Sequence, residues 1–444
     1  MRCAVVMPHH WRGGMLNFAI LLSNIIAGMT IDGEQAVASL CIPEGYDRTH
    51  MAGLSATVNV TDVRQIPLAR TDARALPFPD DYGTDPYSPT HYTALTTVDG
   101  SLDIAIADVW ILLTSILLHG PLFPEKPYLV YLPDLIQRLV PEIYGPDPLG
   151  PSWIMNAWQA MSLQRSQGVI VTTKRTGLDA VSYAGVSKSK VHVLPMVQAP
   201  LFKVPDSAEA LSRQKRTQLR QFLGDGPARE DTSGGRLQKL RCENSLDPAQ
   251  TPYFLWVTNS TQHKNHRRAL RALELYYGQE DGRLACMMCG ATTDDFKAAS
   301  TVQTPYIQEV RTRIAESPLL RDRLHVAGEL SHAGFRRLLT GAAYLWHNVL
   351  YDNGTFSVIE AASLGIPSLT SDYPQMREIC EAYSINTRTF DPWSPEDTAA
   401  QLKAMEGFLL EDQAVATMSS REDLRESFSI QLTELLLHAC STLP

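Results

Sequence analysis

Two carboxylates and one lysine carry the most legible chemistry in this chain. Asp352 and Glu360 stand eight positions apart, and Asp352-Asn353-Gly354 is a polar turn that leads into a helix-forming stretch, about Thr355 to Leu364. The first amides of a helix have no partner within it and carry partial positive charge, so such a turn is a natural cradle for a phosphate. One carboxylate then lies in the loop and the other in the helix, framing the same turn. Lys264 lies in a second polar stretch, Asn259 to Asn265, directly after the apolar run Tyr253 to Thr258. It can supply a positive charge to an anionic group.

The elements that must position these residues are readable around them. Tyr344 to Tyr351 is an apolar run of strand length, Gly365 and Pro367 end the helix, and Ile366 to Thr370 reads as the next strand. The result is a β-loop-α-β unit. Beyond Lys264, the apolar positions Ala269, Leu270, Ala272, Leu273 and Leu275 give a helix one buried face.

The segment Asp352-Asn-Gly-Thr-Phe-Ser-Val-Ile-Glu360-Ala-Ala-Ser-Leu-Gly-Ile-Pro resembles the signature of retaining glycosyltransferases of the GT-B fold, especially the large family 4 group. That signature is an acidic residue, seven residues, then Glu, followed by Ala and a Gly-Ile/Val-Pro strand. The usual first Glu is Asp352 here. The resemblance implies two Rossmann-like α/β domains facing across a cleft, with a C-terminal helix returning to the first. It implies transfer of a sugar from a nucleotide-sugar donor to a hydroxyl of a glycan, lipid-linked or small-molecule acceptor, as in polysaccharide biosynthesis, with retention of configuration. Neither cofactor nor metal is expected, and no Asp-x-Asp motif stands at a strand end. By the same resemblance Lys264 reaches the donor diphosphate with His263 beside it, and Asn353, Gly354, Thr355 and Phe356 hold the phosphates. Glu360 takes the ribose hydroxyls, Asp352 faces the transferred sugar, and Gly328 and Glu329 border the base. Gly13 and Gly14 form a glycine loop toward the phosphates, and Asp134 is the catalytic candidate of the first domain. Relatives often carry His before that aspartate, where this chain has Pro133, and Arg six residues before the lysine, where it has Thr258. These departures keep two other readings open: a GT-B nucleotide-sugar epimerase, and a non-catalytic GT-B subunit that binds a partner enzyme.

Composition sets the outer bounds. With 444 residues, two domains are the natural expectation. A formal net charge of -9 argues against nucleic acid, since no basic excess exists to neutralise phosphates along a strand. The opening Met1-Arg-Cys-Ala-Val-Val-Met-Pro reads as a strand, not a leader, and Leu16 to Met29 and Val109 to Leu118 are too short to span a bilayer. The expectation is a cytoplasmic protein, with peripheral membrane contact left open. Seven scattered cysteines suggest no disulfide framework. Cys286 and Cys289 lie inside an apolar run and read as core residues on opposite faces of a strand.

Taken in order, Cys3 to Met7, the glycine turn and Met15 to Ala27 form a strand, turn and helix. Residues 43 to 100 suggest only short strands and loops. The expected domains are 1–198 for the acceptor, 199–425 for the donor and 426–444 for the returning helix. A linker falls near 196 to 204, and a solvated helix and loop over about 207 to 250.

Overall fold

The computed structural model describes residues 1–69, 91–98, 106–144, 152–194, 222–223, 251–352, 356–410 and 421–441. The expected linker, nearly all of 207 to 250, and the turn residues Asn353, Gly354 and Thr355 lie outside these. The chain divides into two compact units, Met1–Ala199 with Ser420–Pro444, and Pro200–Ser419.

The first unit holds strands β1 (Arg2–Val6), β2 (Thr30–Ile31), β3 (Glu34–Gln35), β4 (Val37–Pro43), β5 (Asn59–Ala69), β6 (His91–Thr97), β7 (Val109–Leu112), β8 (Tyr128–Tyr131), β9 (Gly168–Val171) and β10 (Val191–Val193). Eight of them form one sheet in the order β10-β9-β8-β7-β1-β4-β5-β6, and β2 and β3 make a small hairpin. Strands β1, β7, β8 and β9 are continuous apolar runs because helices cover both faces of a parallel sheet. Residues 43 to 100 contain more order than expected. Strand β5 is eleven residues long and pairs antiparallel with β6. Its apolar signal is diluted because most of its residues are exposed or half-buried, and Pro67 lies within it. The C-terminal helix, Arg421–Ser441, belongs to this unit and starts before the expected boundary at 426. It buries Phe428, Leu432, Leu435, Leu436 and Ala439, a stripe at helical spacing.

The second unit holds β11 (Tyr253–Val257), β12 (Ala285–Cys289), β13 (Leu324–Gly328), β14 (Leu345–His347), β15 (Ser368–Ser371) and β16 (Thr387–Phe390). All pairs are parallel and the order is β13-β12-β11-β14-β15-β16. This is the strand order of a doubly wound nucleotide-binding sheet, and its switch point falls between β11 and β14. Trp256, Trp346, Phe254, Tyr344 and Tyr276 fill the core. Cys286 and Cys289 are buried in it as free thiols. The apolar run 344–351 is only in part a strand, because β14 spans Leu345–His347. Among the described residues, no helix is long and apolar enough to cross a membrane.

Candidate functional site

Ligands of open α/β sheets bind beyond the carboxyl ends of the strands, where neighbouring connections leave in opposite directions. In the second unit the loops at that place follow β11 and β14, and they carry Lys264 and Asp352. The two residues, 88 positions apart, form an ion pair. Their side chains keep only 13% and 15% of their exposure. Burial alone would raise the Asp352 carboxyl. The Lys264 charge, with His263 and His347 nearby and the hydrogen bond from Lys264, outweighs it and holds the carboxyl far below the ordinary range.

The lysine backbone is held as firmly as its ammonium group. Gln262–Lys264 is a single helical turn that ends at Asn265, a residue in the left-handed region at φ 59°. Asparagine tolerates that conformation better than most residues. The Asn265 side-chain Nδ2 donates to the Pro392 carbonyl at 2.7 Å. Its side-chain oxygen accepts from Arg268 at 3.3 Å, and the Arg268 guanidinium lies 4.7 Å from the centre of the Trp393 ring. From the other side, Asn348 Nδ2 donates to the Lys264 carbonyl at 3.1 Å and the Leu350 amide donates to the His263 carbonyl at 2.9 Å. The β11 loop is thereby stitched to the loops after β14 and β16.

Three histidines surround this pair, and all are held neutral. Desolvation, aided by the positive charge of Lys264, pushes His263 and His347 down to about 3. His266 is also pushed to about 3, chiefly by burial. It bonds through Nε2 to the Thr258 hydroxyl at 3.1 Å and through Nδ1 to the Tyr306 hydroxyl at 2.7 Å. Thr258, which replaces an expected arginine, is buried as part of this stack.

Glu360 lies on the helix Phe356–Ser363, which leaves the β14 loop. Burial pushes its carboxyl up to about 7. Among the described residues it has no hydrogen-bond partner for that carboxyl. Phe356 opens the same helix and is half-buried. Gly328 closes β13 at φ 89°, and a Cβ there would come within 2.3 Å of Asp294 Oδ1. The next amide, Glu329 N, donates to Asp294 Oδ2 at 2.7 Å. These two residues lie on the carboxyl edge of the same sheet, two strands from β11.

The remaining candidates belong to the first unit. Gly13, at φ 64°, precedes the helix Gly14–Ala27 and gives its first amides no side-chain cap. Asp134 lies after β8, where its carboxylate accepts from the Ile136 amide at 3.0 Å. That is the geometry of a turn aspartate. His9 and His119, on the loops after β1 and β7, are bonded to the Ile116 and Gln65 carbonyls at 2.8 and 3.2 Å.

Motif reading missed His347, Asn348, Asn265 and Tyr306. His347-Asn348 closes the strand at the switch point, and that position was the available signal. The bonds of Asn265 to Pro392 and of His266 to Tyr306 join distant segments and leave no local pattern.

Residues 242–434 match the family model described as glycosyl transferases group 1. A search of curated proteins found no match. Among solved structures, HepE from Anabaena, in complex with UDP and glucose, is similar at 14% identity over 99% of both chains, with a TM-score of 0.59. WaaG, a glycosyltransferase involved in lipopolysaccharide biosynthesis, is similar at 13% identity over 99% of this chain and 95% of its own, with a TM-score of 0.57. Sucrose-phosphate synthase from Thermosynechococcus elongatus is similar at 12% identity over 99% and 96%, with a TM-score of 0.54. The chain therefore has the GT-B fold, and its residues 242–434 are similar to the glycosyl transferases group 1 family.

Proposed function

We propose that the protein transfers a sugar from a nucleotide-sugar donor to a hydroxyl of a glycan, lipid-linked or small-molecule acceptor, with retention of anomeric configuration. The observation that carries this reading is the buried Lys264–Asp352 pair at the switch point of the second sheet. Charge grows on the departing diphosphate as the glycosidic bond breaks, so a fixed cation there stabilises the transition state more than the ground state. Lys264 supplies it, supported by amides at the start of the Phe356–Ser363 helix. Glu360 accepts hydrogen bonds from the ribose hydroxyls, and Asp352 faces the transferred sugar. Gly328 and Glu329 border the base, with His263 beside the diphosphate. The roles of Asn353, Gly354, Thr355, Gly13, Gly14 and Asp134 follow from the resemblance. UDP and UDP-glucose bound to HepE support a donor of this class.

This chemistry routes the leaving-group charge to the protein, so turnover is expected to persist in excess EDTA. The test is a panel of UDP-, GDP- and dTDP-sugars with glycan and lipid-linked acceptors, with product configuration read by nuclear magnetic resonance. A new glycoside with the donor's configuration supports the reading. Free nucleotide without a glycoside would assign the protein to epimerisation or hydrolysis, and no binding of any donor would assign it a non-catalytic role.

A further inference from the structure

On the donor reading above, we infer that Asp294 and Asp295 are positioning residues that set the spacing between the diphosphate end and the base end of the donor site. Both lie in the short turn Thr293–Phe296, which follows β12, the strand between β11 and β13. Adjacent in sequence, the two carboxylates reach in opposite directions. Asp295 Oδ2 accepts from the Ser260 hydroxyl at 3.1 Å, in the loop that carries Lys264. Asp294 Oδ2 accepts from the Glu329 amide at 2.7 Å, in the loop that follows β13. A second contact reinforces each arm. Thr292 Oγ1 accepts from the Ser260 amide at 3.1 Å. Lys297, paired with Asp294 at 2.6 Å, donates to the Ala327 carbonyl at 3.1 Å.

The backbone on both arms is held in conformations that need such support. Thr292 stands at φ 61°, which a β-branched residue rarely adopts. Gly328 stands at φ 89°, where a Cβ would come within 2.3 Å of Asp294 Oδ1 and 2.5 Å of Lys297 Nζ. Neighbouring strands lie about 4.8 Å apart, so the loops after β11 and β13 are about 10 Å apart, the span from a diphosphate to its base. The bracket therefore decides whether one nucleotide reaches Lys264 and the Gly328-Glu329 loop together. A ligand that uses one end alone is indifferent to it. Carboxylates here could instead act by repelling the diphosphate. Burial alone would raise the Asp294 carboxyl, but the Glu329 amide and Lys297 hold it below its ordinary range, so the charge is present. Repulsion and bracket predict opposite signs: removing a repelling charge tightens every anion, whereas removing the bracket weakens nucleotides only.

The test is titration calorimetry on the full chain with UDP, or with GDP or dTDP where uridine does not bind. Inorganic pyrophosphate, a ligand of the diphosphate end alone, is measured by its competition with the nucleotide. The variants are Asp294→Ala, Asp295→Ala and the conservative Asp294→Asn, which keeps an acceptor for the Glu329 amide. Gly328→Ala forces the Asp294–Lys297 clamp open from the loop side and is the independent variant. Circular dichroism and melting temperature check folding. The Asp294–Lys297 pair is exposed, at 51% and 41%, so its loss should change stability little. We expect each aspartate-to-alanine variant to bind the nucleotide about tenfold more weakly, the scale of one lost hydrogen bond to a charged group, and pyrophosphate as the parent does. Donor KM should rise by the same factor with kcat nearly unchanged, because contacts remote from the breaking bond act alike in ground and transition states. Asp294→Asn should recover part of the loss, and Gly328→Ala should reproduce it. Tightening of either ligand, equal weakening of both, or unchanged nucleotide affinity in folded variants overturns the inference while leaving the donor reading intact. A parent protein that binds no nucleotide overturns both.

Discussion

The two ends of the second sheet each carry a carboxylate, buried at one end and half-buried at the other, and they treat it in opposite ways. At the amino edge Glu406, 4% exposed, accepts from the Tyr276 hydroxyl, from the Arg283 amide at 2.7 Å and from Lys403 at 3.0 Å. Tyr276 is itself engaged by the Leu284 amide at 3.1 Å. Every partner is internal, and the knot joins the helices His266–Gly278 and Pro395–Leu410 to the start of β12. At the carboxyl edge Glu360 has no such partner among the described residues, and burial raises it to about 7. A fold that needs only stability satisfies its buried polar groups. Among the described residues, the Glu360 carboxyl at the switch point thus differs from Glu406 in having no internal partner, and the predictions below test that contrast.

The largest expected effect tests the carboxyl edge. Lys264→Ala should lower turnover about 10²–10³-fold at saturating acceptor, the loss typical when one preorganised stabilising donor is removed. Its circular dichroism spectrum should match the parent. An alanine variant that turns over like the parent would reduce the loop to a structural turn. The amino edge should answer in the opposite currency. Glu406→Ala strands a buried tyrosine hydroxyl and a backbone amide, and should lower unfolding free energy by about 3 kcal/mol in denaturant titration. Turnover per folded molecule should stay close to the parent's. A large kinetic defect without destabilisation would break the comparison.

A smaller effect is expected at Glu360. Glu360→Ala should weaken donor affinity by about tenfold, the scale of one hydrogen bond to a charged group, with turnover at saturating donor much less affected. The ribose changes little during reaction, so its contacts act in the ground and transition states alike.

How legible these edges were in the sequence follows from the range of the interactions. The carboxyl edge was legible because the fold places its chemistry in short loops directly after apolar strands. Lys264 and Asp352 could each be named from local pattern and resemblance. Their ion pair could not, because 88 positions separate them and only the order of β11 and β14 brings them together. The amino-edge knot was invisible for the same reason. Glu406 reads as one more polar residue of the Pro395–Leu410 helix, and its partner Tyr276 is 130 positions away. Strand β5 was hidden because half-exposed strands with an internal proline lack the apolar run that marks β1 or β11. At Asp134 the local geometry is that of a turn, with the Ile136 amide donating to its carboxylate.

The smallest expected effect concerns pH, and it isolates Glu360 from its surroundings. Its folded-state carboxyl titrates near 7, against an ordinary value of 4.5. Between those values the folded chain binds more protons at this residue than the unfolded chain does, so this residue's contribution to stability falls as pH rises. The three histidines act in the opposite sense. Each is pushed down to about 3, so the unfolded chain binds their protons first as pH falls below 6.5, and stability drops toward acid. A stability profile of the parent alone would mix these slopes. Comparison with Glu360→Gln separates them, because the histidines are common to both proteins and cancel in the difference. The glutamine variant should gain stability relative to the parent as pH rises from 5 to 8. The gain should be on the order of 1 kcal/mol once partial exposure is allowed for. Denaturant titrations at pH 5, 6, 7 and 8 measure it. A difference that stays flat across that range would mean Glu360 is already paired at neutral pH, and the contrast with Glu406 would be lost.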